Sequence, residues 1–99
     1  MAPRIVHTGL GRREAIDALH REGLDVLEWT DEPGATYEEH THPYREVRLV
    51  LDGSMTIICH GGEYALRPAD RFEIQPGEPH RASVGPDGVH YLAGRDESG

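Results

Sequence analysis

Lysine is absent from this chain of 99 residues; all ten basic side chains are arginine, which together with many Gly, Ala and Pro reads as codon bias rather than function. Against eighteen acidic residues they leave a formal net charge of −8. A nucleic acid or an anionic membrane surface wants a basic stripe, so no nucleic-acid and no membrane partner is expected. Cysteine is nearly absent as well. Cys59 stands alone, and one thiol cannot close an internal disulfide, so the fold must hold without an oxidising compartment. No apolar run reaches the about 18 residues of a membrane span, and no signal-like stretch follows Met1, which gives the expectation of a soluble, cytoplasmic protein. Internal repeats, low-complexity stretches, a Gly-x-Ser-x-Gly elbow, a phosphate loop and a paired-thiol motif are all missing.

What is there is concentrated between Gly34 and Gly53, a stretch holding His40, His42 and Glu46. Successive strand side chains alternate faces, so His40 and His42 point the same way, about 7 Å apart along the strand. Two imidazoles at that spacing can converge on one ion at about 2.0–2.1 Å from each nitrogen. Glu46 cannot continue the strand, because four more residues would carry it roughly 13 Å further. Pro43, which fixes its own φ and lacks an N–H, turns the chain between them. His40 and His42 are therefore expected to end one strand and Glu46 to start the next. A fourth ligand is offered by His80, after a turn built from Pro76, Gly77 and Pro79. Three imidazoles and a carboxylate make a borderline-hard site for one divalent first-row metal, leaving positions open for a substrate.

Around this set the chain reads as one small domain. A short strand is expected at Arg4–His7, and a helix over 11–22 with Ala15, Ile16 and Leu19 on one stripe. Gly23 followed by Leu24 gives its stop, and the helix is expected to cover an open barrel end. From Asp25 onward short strands follow at 26–30, 36–42, 46–51, 55–60, 63–66, 71–75, 80–84 and 89–93. Turn residues separate them, among them Asp52-Gly53, the two-residue hairpin turn Gly61-Gly62, and Gly85 to Gly88. That spacing predicts an all-β fold, an antiparallel double-sheet jelly-roll barrel with a short N-terminal helix. The division is an arm and helix over 1–24, a barrel over 25–95, and a tail over 96–99.

The glycine, His-x-His, glutamate and glycine pattern of Gly34, His40, His42, Glu46 and Gly53 resembles the first motif of the cupin family at every fixed position. The family's second motif is matched by Gly77 and His80. Ala69 stands at its first glycine, Gln75 at its proline and Val84 at its asparagine, and Pro76 comes one position later than the motif asks. The resemblance covers about residues 25–95. It implies a small single-domain cupin with His40, His42, Glu46 and His80 as ligands of Fe, Mn, Ni, Zn or Cu. It also implies a homodimer that closes its edges through the N-terminal strand or an outer sheet, with apolar positions of residues 24–30. Cupins with this ligand set are dioxygenases, isomerases, decarboxylases or lyases.

Strand parity names the pocket. If Glu46 faces in, so do Arg48 and Val50; if His80 does, so do Ala82 and Val84; Phe72 and Ile74 face the core. Arg48 either binds a substrate carboxylate or phosphate through its bidentate fork, or forms an internal salt bridge to Glu46 or Glu73, or lies outside by a register slip. A guanidinium kept for ligand alone predicts that Arg48→Met is near neutral or stabilising without ligand. Tyr44, at the mouth, is a candidate proton donor. Arg48 and Tyr44 are thus the candidate catalytic residues. His7, His20, His60 and His90 read as surface or hydrogen-bonded histidines, and Cys59, with no basic cluster near it, as a small hydrophobe. The expected function is metal-dependent binding or conversion of a small, carboxylate-bearing molecule. The alternative is a non-catalytic module sensing a small ligand or metal, and a third reading is a metal-free structural barrel.

Overall fold

The helix stops where its glycine sits. Gly23 takes a φ of +82°, and the Leu24 N–H returns to the Leu19 carbonyl at 3.2 Å, the backbone closure that a residue free of Cβ strain permits. Leu24 then folds back onto the apolar stripe, where Ala15 and Leu19 are fully buried. The computed structural model describes residues 4–96. It contains β1 (Ile5–His7), α1 (Arg12–Arg21), β2 (Asp25–Asp31), β3 (Thr36–His40), β4 (Arg45–Cys59), β5 (Gly62–Leu66), β6 (Asp70–Ile74) and β7 (His80–Asp96). Every pairing is antiparallel, in the order β1-β6-β4-β7-β2, with β5 also on β4 and β3 also on β7.

Two of these strands are longer than the turn residues suggested. Asp52-Gly53 and Gly85 to Gly88 are bends within β4 and β7, not breaks between strands. Before its bend β4 pairs with β6 and the far part of β7; after it, with β5 and the near part of β7. The bends turn one continuous sheet into two facing layers, the jelly-roll arrangement, with edges left open at β1 and β2 in one layer and β5 and β3 in the other. Glycine is required at the corner: a Cβ on Gly53, whose φ is +74°, would sit 2.1 Å from the Gly88 carbonyl oxygen. A second difference is one residue of register. The β4–β5 turn is His60-Gly61, because Cys59 pairs with Gly62. Both turn residues have positive φ, 49° and 73°, as a two-residue turn matched to strand twist demands.

Alternation along the strands divides the buried side chains between two faces. Val50, Met55, Ile57, Phe72, Ile74, Ala82 and Val84 fill the space between the layers. Val47, Leu49 and Leu92 point the other way and are covered by Ala15, Leu19 and Leu24. The helix therefore covers the outer face of a sheet, not an open barrel end. The reason is visible in the pairs: those three strand residues are apolar on the outside, and each is worth about 1.5–3 kcal/mol when removed from water. Arg95 and Asp96 pair with Asp25 and Arg45, so β7 runs beyond Ala93 and takes in Asp96, the first residue assigned to the tail. Residues 1–3 and 97–99, the rest of the arm and tail, lie outside the described residues. Among the described residues no helix is long and apolar enough to cross a membrane.

Candidate metal centre

Strand β3 ends at His40, two residues earlier than expected, and His42 lies in the loop that Pro43 turns toward β4. Glu46 is the second residue of β4 and His80 the first of β7. His40 and His80 are cross-strand partners, so two segments far apart in sequence meet on one ladder. The turn before His80 is sewn to the loop of His42 by a single bond, from the Gly77 N–H to the His42 carbonyl at 2.8 Å. Gly77 reaches it with a φ of +74°.

The three imidazoles are packed together, with ring centroids 4.3 Å apart for His40 and His80, 4.7 Å for His42 and His80, and 5.3 Å for His40 and His42. One ligand atom from each lies within 4.8 Å of the others. Two nitrogens bonded at about 2.1 Å to one tetrahedral ion stand about 3.4 Å apart, so the rings must draw in by up to about 1.4 Å to coordinate. The proton positions suit it as well. Nδ1 of His40 bonds the Glu38 carbonyl at 2.8 Å, and Nδ1 of His80 bonds the Glu78 carbonyl at 2.9 Å. A carbonyl only accepts, so Nδ1 carries a proton in both rings, the tautomer that in a neutral ring leaves the lone pair on Nε2. His80 is fully buried, and its Nε2 has no hydrogen-bond partner; His42 Nδ1 is buried and partnerless too. Orphaned buried nitrogens are costly unless something fills them. Burial pushes His42 and His80 below the ordinary imidazole value, against the opposing pull of Glu46 on His42 and of the Glu78 carbonyl on His80. Both rings thus reach pH 7 neutral, the form that ligates a metal. His40, His42 and His80 can hold a metal ion.

Glu46 stands beside this group. Its Oε1 is 3.5 Å from His42 Nε2 and 3.8 Å from Arg95 Nε, and its Oε2 accepts from Arg48 Nε at 2.8 Å. Burial raises the Glu46 carboxyl, but the Arg48 charge and hydrogen bond, with His42 and Arg95 behind them, bring it below the usual carboxylate range. Of the alternatives for Arg48, the ion pair with Glu46 is present, the register slip is not, and Glu73 pairs instead with Arg45 on the outer face. Arg48 also lines a cavity of about 220 Å³ whose walls include Glu46, Trp29, Tyr37, Tyr91 and Arg95. Tyr44 stacks flat on His42, centroids 4.6 Å apart and planes 3° apart, and the Arg95 guanidinium carbon lies 5.3 Å from the centre of the Tyr44 ring.

Arg95, Trp29 and Tyr37 were missed by the sequence reading. Had β7 been run to Asp96, the parity of Tyr91 and Ala93 would have turned Arg95 inward. The other histidines are hydrogen-bonded or at the surface, as expected: His7 bonds Asp70, His60 bonds Glu78, His90 bonds Glu28, and His20 is exposed. Cys59 differs in one respect, since Arg4 Nη1 lies 3.6 Å from its sulfur; burial outweighs that charge and raises the thiol.

No curated protein matches the chain. A domain protein of Klebsiella pneumoniae described as uncharacterized, with a double-stranded beta-helix, superposes with a TM-score of 0.63 at 25% identity, over 71% of this chain and 64% of that one. The polyketide cyclase RemF of Streptomyces resistomycificus gives 0.65 at 25% identity, over 73% and 53%. The DMSP lyase DddQ of Ruegeria pomeroyi, at 24% identity, gives 0.68 over 75% and 39%, a likeness of fold. The chain thus spans less than two thirds of the length of each of these three structures. The family model described as the cupin domain matches residues 27–93, and the chain belongs to the cupin family.

Proposed function

We propose that the chain holds one divalent first-row metal ion through His40, His42, Glu46 and His80 and takes a small carboxylate-bearing molecule in the adjoining cavity. The observation that carries this reading is His80, a fully buried imidazole whose Nδ1 proton is tied to a carbonyl and whose Nε2 has no partner. A bound divalent ion would supply Lewis acidity toward a ligand oxygen. The chain supplies the rest. Arg48 orients the anion at the cavity wall, Glu46 holds Arg48 in place, and Tyr44, stacked on His42, is the candidate proton donor. The likeness to a structure named a polyketide cyclase supports small-molecule chemistry without choosing a reaction. A second reading, a non-catalytic sensing module, is favoured by one feature: among the described residues Glu46 is the only carboxylate lining the cavity, and its Oε2 is held by Arg48, so it is no free base. Recovery of every bound carboxylate unchanged would select that second reading. Homodimerisation, by the exposed Val6 on edge strand β1 and Leu27 on edge strand β2, is part of the same proposal and is read by light scattering.

The test is elemental analysis of tag-free protein. One ion per chain is expected, with His80→Ala losing at least as much metal as His40→Ala. Metal should leave as pH falls below about 6.5, where imidazoles protonate. Full occupancy in His80→Ala would sink the assignment.

A further inference from the structure

We propose that the cavity beside the histidines selects a single planar ring bearing a carboxylate, with the ring against Trp29 and Tyr37 and the carboxylate toward Arg48 and Arg95. This rests on the functional reading above and narrows its ligand class. Charge is the first argument. In a chain of formal net charge −8, the cavity walls carry, among the described residues, two guanidinium groups against one carboxylate, Glu46. That carboxylate gives Oε2 to Arg48 at 2.8 Å, whereas Arg95 Nε stands 3.8 Å from Oε1, is buried and makes no hydrogen bond. A buried N–H without an acceptor marks a place for one. Each guanidinium is also set against a tyrosine, Arg48 5.8 Å from the Tyr91 ring and Arg95 5.3 Å from the Tyr44 ring. A guanidinium held near a ring keeps N–H donors free for an anion, and their fork suits a planar carboxylate.

The aromatic side chains are the second argument. Trp29 and Tyr37 are 46% and 40% exposed, two of the four exposed large hydrophobics among the described residues, and both line this cavity. They come from β2 and β3, the edge strands of opposite layers, and so form two lips of one mouth. The neighbouring Asp31 carboxylate pushes the Tyr37 pKa up to about 12, which keeps the phenol neutral. Aromatic faces left open to water at a cationic cavity fit a ligand with a face of its own. The third argument is size. A volume of about 220 Å³ is that of about seven waters at ~30 Å³ each, enough for one ring and its carboxylate.

Trp29 is the single tryptophan, so its fluorescence reports the mouth directly. Zinc-loaded protein of measured metal content would be titrated with benzoate, cyclohexanecarboxylate, acetate and benzyl alcohol, and affinities checked by calorimetry. Benzoate is expected to bind about tenfold more tightly than each of the other three, and both Trp29→Ala and Arg95→Met to weaken it by about tenfold. Trp29→Ala should leave acetate unchanged, and Trp29→Phe should restore most of the benzoate affinity. Arg95→Lys stands in where the methionine variant does not fold. Equal affinities for benzoate and acetate with one ion per chain overturn this inference and leave the metal reading intact. Absence of metal overturns the metal reading, while benzoate binding that still needs Trp29 and Arg95 upholds this one. If Trp29→Ala splits a dimer and leaves benzoate affinity unchanged, a second copy covers the lips and the inference falls.

Discussion

The two faces of β4 over residues 46–50 are equally buried and chemically opposite. Toward the helix it presents Val47 and Leu49, 0% and 1% exposed. Toward the space between the layers it presents Glu46 and Arg48, 2% and 7% exposed, before Val50. In an ordinary two-layer fold the interior is the apolar side and the outside is wet. Here α1 has dried the outside, and the interior mouth has kept its charges. The outer face accounts for stability; the inner face carries an ion pair that apolar residues of similar volume would replace at little or no loss. Burial alone therefore does not mark the core of this protein, and the difference between the faces is a difference of purpose that substitutions can measure.

The largest effect is expected on the inner face. Arg48 is not the unpaired guanidinium that would make Arg48→Met neutral, because it is bound to Glu46. Removing it strands a buried carboxylate, and metal-free Arg48→Met should lose about 3–5 kcal/mol in urea unfolding. A divalent ion beside Glu46 would replace the lost positive charge, so loading with zinc should recover much of that loss. Equal losses with and without metal would place the ion away from Glu46. On the outer face Leu49→Ala should cost about 3 kcal/mol through lost transfer energy and the cavity left under α1. That loss should be the same with and without metal, and the folded variant should still hold one ion. A metal-dependent loss at Leu49 would break the separation of the two faces.

How much of this was legible in the sequence follows the distance over which each signal acts. His40, His42 and Glu46 are neighbours in the chain, and their spacing alone put them on converging elements. The bends at Asp52-Gly53 and Gly85 to Gly88 read locally as turns; whether a glycine ends a strand or bends it depends on the partner strand, which comes from elsewhere. The anchoring of the His80 turn was invisible for the same reason. Glu78, whose carbonyl holds His80, has its own carboxylate gripped by Arg4 at 2.7 and 2.8 Å, a contact across 74 residues. Ala69 was legible as a mismatch to the family's glycine but not as a conformation. Its φ is +72°, which costs a residue with a Cβ roughly 1–2 kcal/mol. It lies in the β5–β6 turn, on neither face of β4, and so supplies a control. Ala69→Gly should stabilise by up to about 1 kcal/mol, after the added freedom of the unfolded chain is deducted. A destabilised glycine variant would show that its surroundings, not its backbone, fix that turn.

The smallest effect is expected at the rim of the outer face. Glu28 on β2 accepts two hydrogen bonds from Arg12 at the start of α1, at 2.9 and 2.7 Å, and also bonds His90 on β7, so one carboxylate joins the helix to two strands. The Arg12 hydrogen bonds, followed by that of His90, bring its pKa from 4.5 down to about 2. The folded value lies below the unfolded one, so this contribution is complete above pH 4.5 and is lost as pH falls toward about 2. Glu28 is exposed, and an exposed pair is screened by water and salt, so the contribution is small. Glu28→Gln should therefore lower the urea midpoint slightly at pH 7. The gap to the unsubstituted protein should close as pH falls through the window from 4.5 to 2, and also on adding salt at neutral pH. Metal content should not change, because the clamp lies on the far side of the sheet from the histidines. A gap that survives at pH 2 would make Glu28 a packing residue of the helix-covered face, and the outer face would then owe its docking to shape alone.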